Sequence, residues 1–295
     1  METIVTIDDS LQLPGYFTGS SHPDCFLLLY NNQNPGKRLQ VQLDHHLICI
    51  PLSGEKTIHA AFNQLKADEE SYFVVPSGSI LMTERKGKNP FFESLLIFFS
   101  EAHLTDFCLR VQPEENKRLP DGISVFSKDA FVHHFTASVR AFPPSSVTDS
   151  LHGLKTDEFL HYLHRKHPEC LLRLVKTKVI NTPNRLLQQV VMANRYANLT
   201  LVELAFLCNM SLSTFKRQFK EVFHTSPGKY FLEQKISRAK QLLALKYRPS
   251  DIYSNLGYES LSSFSHEFRK HTGLTPTAYL HESGLLATTS ELIQQ

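Results

Sequence analysis

Residues 199–231 read LTLVELAFLCNMSLSTFKRQFKEVFHTSPGKYF, and residues 251–280 read DIYSNLGYESLSSFSHEFRKHTGLTPTAYL. In the first stretch Thr200 can cap a short helix, Leu201–Cys208, with Leu204 and Ala205 on its inner face. The small Ala205 lets a second helix come close. Asn209 takes the turn, where a left-handed backbone is tolerated by Asn better than by most residues. Met210 follows as a buried apolar spacer. Ser211 then caps a second helix, Leu212–Phe223, whose buried side is Phe215, Phe219, Val222 and Phe223. Its outer side presents Ser213, Lys216, Arg217 and Lys220, spaced i, i+3, i+4 and i+7. That is a helix-turn-helix with a polar stripe a major groove accepts.

The pattern repeats. Pro249 and Ser250 start Asp251–Leu256, Gly257 makes the turn, and Tyr258 is the apolar spacer. Ser260 caps Leu261–His271, with Phe264 and Phe268 inward and Ser262, Ser265, His266, Arg269 and Lys270 outward. A helix over Pro227–Leu245 joins the two units, apolar at Tyr230, Phe231, Ile236, Ala239, Leu242 and Leu243. A rigid linker sets the distance between two readers, and readers about 34 Å apart enter successive major grooves.

Charge marks the same region. The chain has 295 residues and a formal net charge of +2. Residues 181–281 hold 13 Lys and Arg against 6 Asp and Glu, a balance of +7. Residues 1–180 carry −3 and the last fourteen −2. A basic block on a mildly acidic one points to nucleic acid as the partner of the block. The 41% hydrophobic content is enough for a real core.

The run Leu199–Leu280 resembles the DNA-binding domain of AraC/XylS-type bacterial transcription regulators. The resemblance rests on the first quoted stretch, on ISRAKQLL, and on the closing GY-x-S-x-S-x-F-S run that ends in G-x-T-P-x-x-Y. It implies a regulator of transcription, an activator, that binds double-stranded DNA and touches RNA polymerase. It implies base contacts from Ser213, Lys216 and Arg217 in one helix. In the other they come from Leu261, Ser262, Ser265 and His266, with Lys220, Arg269 and Lys270 on phosphates. Arg217 is the strongest of these, since Arg grips guanine O6 and N7 together. Three positions depart from the family pattern. Tyr253 stands where a small Ala is usual, so its ring must fit between helices. Leu280 replaces a common basic residue and removes a phosphate contact. His266 replaces a frequent Arg, which makes readout there weaker or pH-dependent.

The preceding sequence differs in character. From Leu39 to Phe99 short β-prone runs are broken by turn residues: HLICIP at 46–51, YFVV at 72–75, FFESLLIFF at 91–99. Several short strands at that spacing suggest a sandwich or barrel. From Lys128 the period is helical, with Phe131, Phe135 and Val139 on one face and Leu151, Leu154, Phe159, Tyr162 and Leu163 roughly on another. Pro143–Ser146 separates these helices and Pro183 opens the next. The expected fold is α+β. A cupin-like β-barrel sensor occupies 1–127 and a helical connector 128–180. A double helix-turn-helix domain occupies 181–281, and a tail 282–295. The family likeness implies an effector or protein partner at the sensor and a homodimer. Phe159–Leu163 is the dimerisation candidate, with packing inside its own monomer as the alternative.

An enzyme reading finds little support. His45 and His46 are adjacent and point to opposite strand faces, so they cannot share a metal site; His59 has no neighbouring ligand. His161, His164 and His167 offer i, i+3 pairs but no third ligand. No G-x-S-x-G elbow or phosphate loop is present. Ser77-Gly78-Ser79 is a turn between strands, and Phe91–Phe99 is read as sheet core, with the lining of an effector cavity as the alternative. No cofactor or metal is expected. The competing reading is a cupin-type sensor or metalloenzyme with an incidental basic tail. Five scattered cysteines without a CxxC pair suit a reducing cytosol. The longest apolar runs, such as Cys25–Tyr30, fall short of the ~20 residues of a membrane span. Met1–Ser10 lacks the apolar core of a signal peptide.

Overall fold

The computed structural model describes residues 5–6, 24–61, 63–112, 124–142, 148–176 and 183–281. The breaker Pro143–Ser146, most of Met1–Ser10 and the tail 282–295 lie outside the described residues. The chain forms two compact units. The first runs to Ala193 and takes in Phe206–Asn209; the second comprises Asn194–Ala205 and the chain from Met210.

The first unit holds β1 (Val5–Thr6), β2 (Cys25–Asn32), β3 (Arg38–Leu43), β4 (His46–Ser53), β5 (Glu55–His59), β6 (Gln64–Ala67), β7 (Ser71–Val75), β8 (Gly78–Arg85), β9 (Phe92–Phe99), α1 (Glu101–Val111) and β10 (Ser124–Ser127). It continues with α2 (Ala130–Arg140), α3 (Asp149–Lys166), α4 (Pro168–Lys176) and α5 (Pro183–Ala193). The strands form two sheets rather than one closed barrel. One has the order β1-β2-β9-β4-β7-β10 and the other β3-β8-β5-β6.

The continuous apolar runs are explained by a sheet buried on both faces. Along β4, Leu47 and Cys49 face the second sheet, while Ile48 and Ile50 face the helices. Along β9, Leu96 and Phe98 take the first role and Leu95, Ile97 and Phe99 the second. Antiparallel register pairs Ile48 with Ile97 and Leu47 with Phe98, so like faces meet. Phe91–Phe99 is thus plain sheet core from Phe92 onward.

α1, α2, α3 and α4 cover the outer face of the six-stranded sheet. Leu104, Phe107, Val132, Phe135, Phe159, Leu160, Leu163, Leu171 and Leu174 join its core. Side-chain caps start three of them: Ser100 accepts from the His103 N–H, Asp129 from Val132 and Thr148 from Leu151. For Phe159–Leu163 the structure shows the alternative named above, packing inside the monomer. Phe159, Leu160 and Leu163 are each fully buried, so the proposed dimerisation residues are spent within the monomer. Burying each such side chain contributes about 1.5–3 kcal/mol. Leu154, expected on the same face, is 66% exposed and lies on the opposite side of α3.

One polar cluster sits between the sheets. Lys56 and Glu84, 3% and 1% exposed, pair at 2.8 Å. Tyr30 and Asn32 donate to the other Glu84 oxygen at 2.9 and 2.7 Å, and the Lys56 ammonium lies over the Tyr30 and Phe92 rings. Burial opposes the Lys56 charge, yet Glu84 reverses that effect and its pKa ends above the ordinary lysine value.

Candidate nucleic-acid interface

The first helix-turn-helix is α6 (Leu201–Leu207) and α7 (Leu212–Phe223). Thr200 and Glu203 form a reciprocal capping box. Thr200 Oγ1 accepts the Glu203 N–H at 3.2 Å, and Glu203 Oε2 accepts the Thr200 N–H at 2.7 Å. Asn209 has φ of 55°; its N–H reaches the Phe206 carbonyl, and the Met210 N–H reaches Ala205, both at 2.9 Å. These two bonds are a Schellman turn. Ser211 then caps α7 through the Thr214 N–H, and His224, at φ of 54°, ends it. Phe215 and Phe219 are fully buried; Val222 and Phe223 are only half-buried, as is Met210.

α8 (Pro227–Ala244) follows, capped by Ser226. The second motif is α9 (Pro249–Ile252) and α10 (Leu261–Thr272). Its turn repeats the first: Gly257 has φ of 77°, its N–H reaches the Ser254 carbonyl, and the Tyr258 N–H reaches Tyr253, each at 3.0 Å. Ser260 caps α10, and Gly273 ends it. α9 is shorter than the helix expected over Asp251–Leu256. Tyr253 marks the difference, its ring half-buried against the cluster of Ile252, Leu256, Phe264 and Phe268. Leu280 packs against that same cluster, so the residue in place of a basic one is a core residue.

On α7, Ser213, Lys216, Arg217 and Lys220 are all exposed on one side of the helix. On α10, Leu261, Ser262, His266, Arg269 and Lys270 are exposed and Ser265 is half-buried. Lys216, Arg217, Lys220, Arg269 and Lys270 make no ion pair among the described residues. Other charged groups of the unit do pair, Lys229 with Glu233 and His271 with Glu267. Five cations therefore stand unneutralised on two capped helices, available to an anion.

Elsewhere the candidate ligands are structural. His46 accepts the Ser77 N–H at Nδ1 and meets Glu101 through Nε2 at 3.2 Å. His161 packs edge-on against Phe107, and His167 stacks on Phe126. Among the described residues no group of three His, Cys, Asp or Glu could hold a metal, and no helix is long and apolar enough to cross a membrane. Burial pushes the Cys25, Cys170 and Cys208 thiols up to about 12.

Sequence reasoning missed the junction of Asn198, Lys235 and Gly257. It also missed the Arg195 and Arg238 guanidiniums at the Tyr196 ring, 4.8 and 5.8 Å from its centre. The available signal was Lys235 itself, four residues before Ala239 on the inner stripe of α8.

The comparisons agree with this geometry. A family model described as a helix-turn-helix domain matches residues 204–282, and one described as the ExsA N-terminal regulatory domain matches 46–174. "Probable transcriptional regulator LumQ" of Photobacterium leiognathi is 28% identical over 159 residues, 54% of this chain and 63% of that protein. The virulence regulon transcriptional activator VirF of Yersinia enterocolitica is 34% identical over 135 residues, 45% of this chain and 48% of that protein. The solved structure of ToxT from Vibrio cholerae aligns over 88% of this chain and 98% of that one, at 12% identity and a TM-score of 0.36. The chain spans between about half and two-thirds of the length of the first two relatives. A β-sheet unit preceding two capped motifs on a shared helix defines a two-part helix-turn-helix regulator fold. More narrowly, its two parts are similar to the helix-turn-helix domain and the N-terminal regulatory domain of AraC/XylS-type transcription regulators.

Proposed function

We propose that this chain is a sequence-specific regulator of transcription, an activator, that reads double-stranded DNA through α7 and α10. The observation that carries this is the pair of Ser-capped helices, each rooted by two buried phenylalanines and each exposing unpaired basic side chains. Arg217, Lys216 and Ser213 read bases from α7; Ser262, Ser265 and His266 do so from α10. Lys220, Arg269 and Lys270 clamp phosphates, a contact that positions without specifying. The reading segment is residues 181–281. The part before it takes an effector or protein partner, and contact with RNA polymerase follows from family analogy. The protein works in the cytoplasm.

The same proposal includes a homodimer, through a different face of α3 from the one the sequence suggested. Leu154, Glu158, His161 and Arg165 are exposed along one side of that helix. Phe131, Glu158, His161, Tyr162, Arg165 and Lys166 border an open groove of about 470 Å³. Across a two-fold axis near His161, Glu158 of each copy would face Arg165 of the other, a self-complementary pairing.

The function is tested by binding to a promoter duplex and to its scrambled counterpart over a salt series. Preference for the promoter at every salt concentration is expected. Equal affinity for both, or no binding, would overturn the reading.

A further inference from the structure

Lys235 lies on α8, the helix that joins the two motifs, and points inward rather than to solvent. Its side chain is half-buried, and burial lowers its pKa below the ordinary lysine value. A Cβ added to Gly257 would lie 3.1 Å from Lys235 Nζ and 3.1 Å from Asn198 Oδ1. Both atoms therefore press against the turn of the second motif from outside. The same Nζ sits 5.4 Å from the centre of the Tyr258 ring, within cation–π range. Tyr258 in turn packs on Phe264, the first buried ring of α10, at 5.3 Å.

Asn198 comes two residues before Thr200, which caps the first helix of the first motif. Lys235 thus ties the linker helix α8 to the turn of the second motif and, through Tyr258, to the root of α10, while Asn198, at the entry to the first motif, flanks the same turn. The first motif has Asn209 at its equivalent turn. The second has Gly257, and the crowding by Lys235 and Asn198 adds a reason for Gly beyond its positive φ.

We propose that Lys235 is a positioning residue that locks the mutual spacing of the two recognition helices, and so sets the half-site spacing the protein accepts. This rests on the DNA-reading function proposed above. Lys235 touches no base in this scheme. It acts by removing slack between the motifs, because readers on a rigid frame enter successive grooves only at one separation. Each added base pair shifts the second half-site by about 3.4 Å along the axis and rotates it by roughly 35°.

The test uses the full chain and duplexes it enriches from a random library. The best duplex is then remade with one base pair inserted between its half-sites. The wild type is expected to lose about 10- to 100-fold in affinity on insertion, the scale of one or more lost base contacts. Lys235→Met is expected to lose less than about threefold on the same insertion, with Lys235→Arg restoring the wild-type penalty. Asn198→Ala approaches the junction from the other side and should relax spacing in the same direction, should Lys235→Met not fold. A purely structural role would lower melting temperature and leave the penalty unchanged. An unchanged insertion penalty in the folded variants overturns the proposal. Failure of the wild type to enrich any duplex overturns the DNA-reading function instead, and this inference with it.

Discussion

Arg217→Ala, set beside Lys220→Ala, separates base readout from backbone clamping. Both side chains are exposed on α7, three residues apart, and neither makes an ion pair among the described residues. Removing either leaves the folded chain nearly as stable as before, within about 0.5 kcal/mol for a surface site of this kind. The whole loss should therefore appear in binding. An Arg gripping a guanine through two hydrogen bonds contributes about 1–3 kcal/mol of discrimination, roughly 5- to 150-fold in affinity. A lysine on a phosphate contributes through counterion release, and its removal lowers the slope of log K against log salt by about 0.9. The assay is fluorescence anisotropy with the enriched duplex and with single-base variants, each from low to moderate salt. Arg217→Ala should lose affinity for the enriched duplex and little for one variant, so that preference collapses at one position. Lys220→Ala should weaken every duplex by the same factor and flatten the salt slope. Equal losses for both substitutions on every duplex, with equal slopes, would refute the division of roles.

Three further outcomes follow from the first unit. Glu158→Arg or Arg165→Glu alone should weaken self-association measured by sedimentation, and the double exchange should restore it. Glu84→Gln leaves the Lys56 ammonium buried without its counter-charge and should cost about 3–5 kcal/mol in denaturant unfolding, whereas Lys56→Met with Glu84→Leu should recover most of that. His152 accepts the Leu27 N–H at Nδ1, 3.0 Å away, and burial holds its pKa below the ordinary histidine value. The unfolded state then takes up the proton more readily, so stability is full above about pH 6.5 and falls as pH drops below it. His152→Gln, whose carbonyl also accepts, should show a shallower loss of melting temperature between about pH 7.5 and 5.5.

The two motifs were legible in the sequence because their determinants are local. Ser211 and Ser260 bond donors three residues on, and Phe215 with Phe219 repeats as Phe264 with Phe268. Asn209 and Gly257 mark turns through their own backbone preferences. α7 runs over the residues that its cap and period imply. The β-prone runs also became strands, but β10 and α1 carried too little periodicity to be foreseen. The barrel became two sheets, since which strands pair depends on partners far along the chain. β2 lies beside β9 and β3 beside β8.

The face of α3 was the clearest gap. Its apolar residues marked a buried stripe, but a buried stripe packs equally well on a second copy or on its own sheet. Only the tertiary structure decided for the sheet, because Phe159, Leu160 and Leu163 meet Tyr72, Phe135 and their neighbours there. Likewise the sequence by itself determined the exposed basic stripe of α7 and of α10 through helical period and caps, while Ser265, expected outward, is half-buried. That Lys235 and Asn198 both come to lie beside Gly257 was decided by folding alone, since neighbours 22 and 59 positions apart have no local signature.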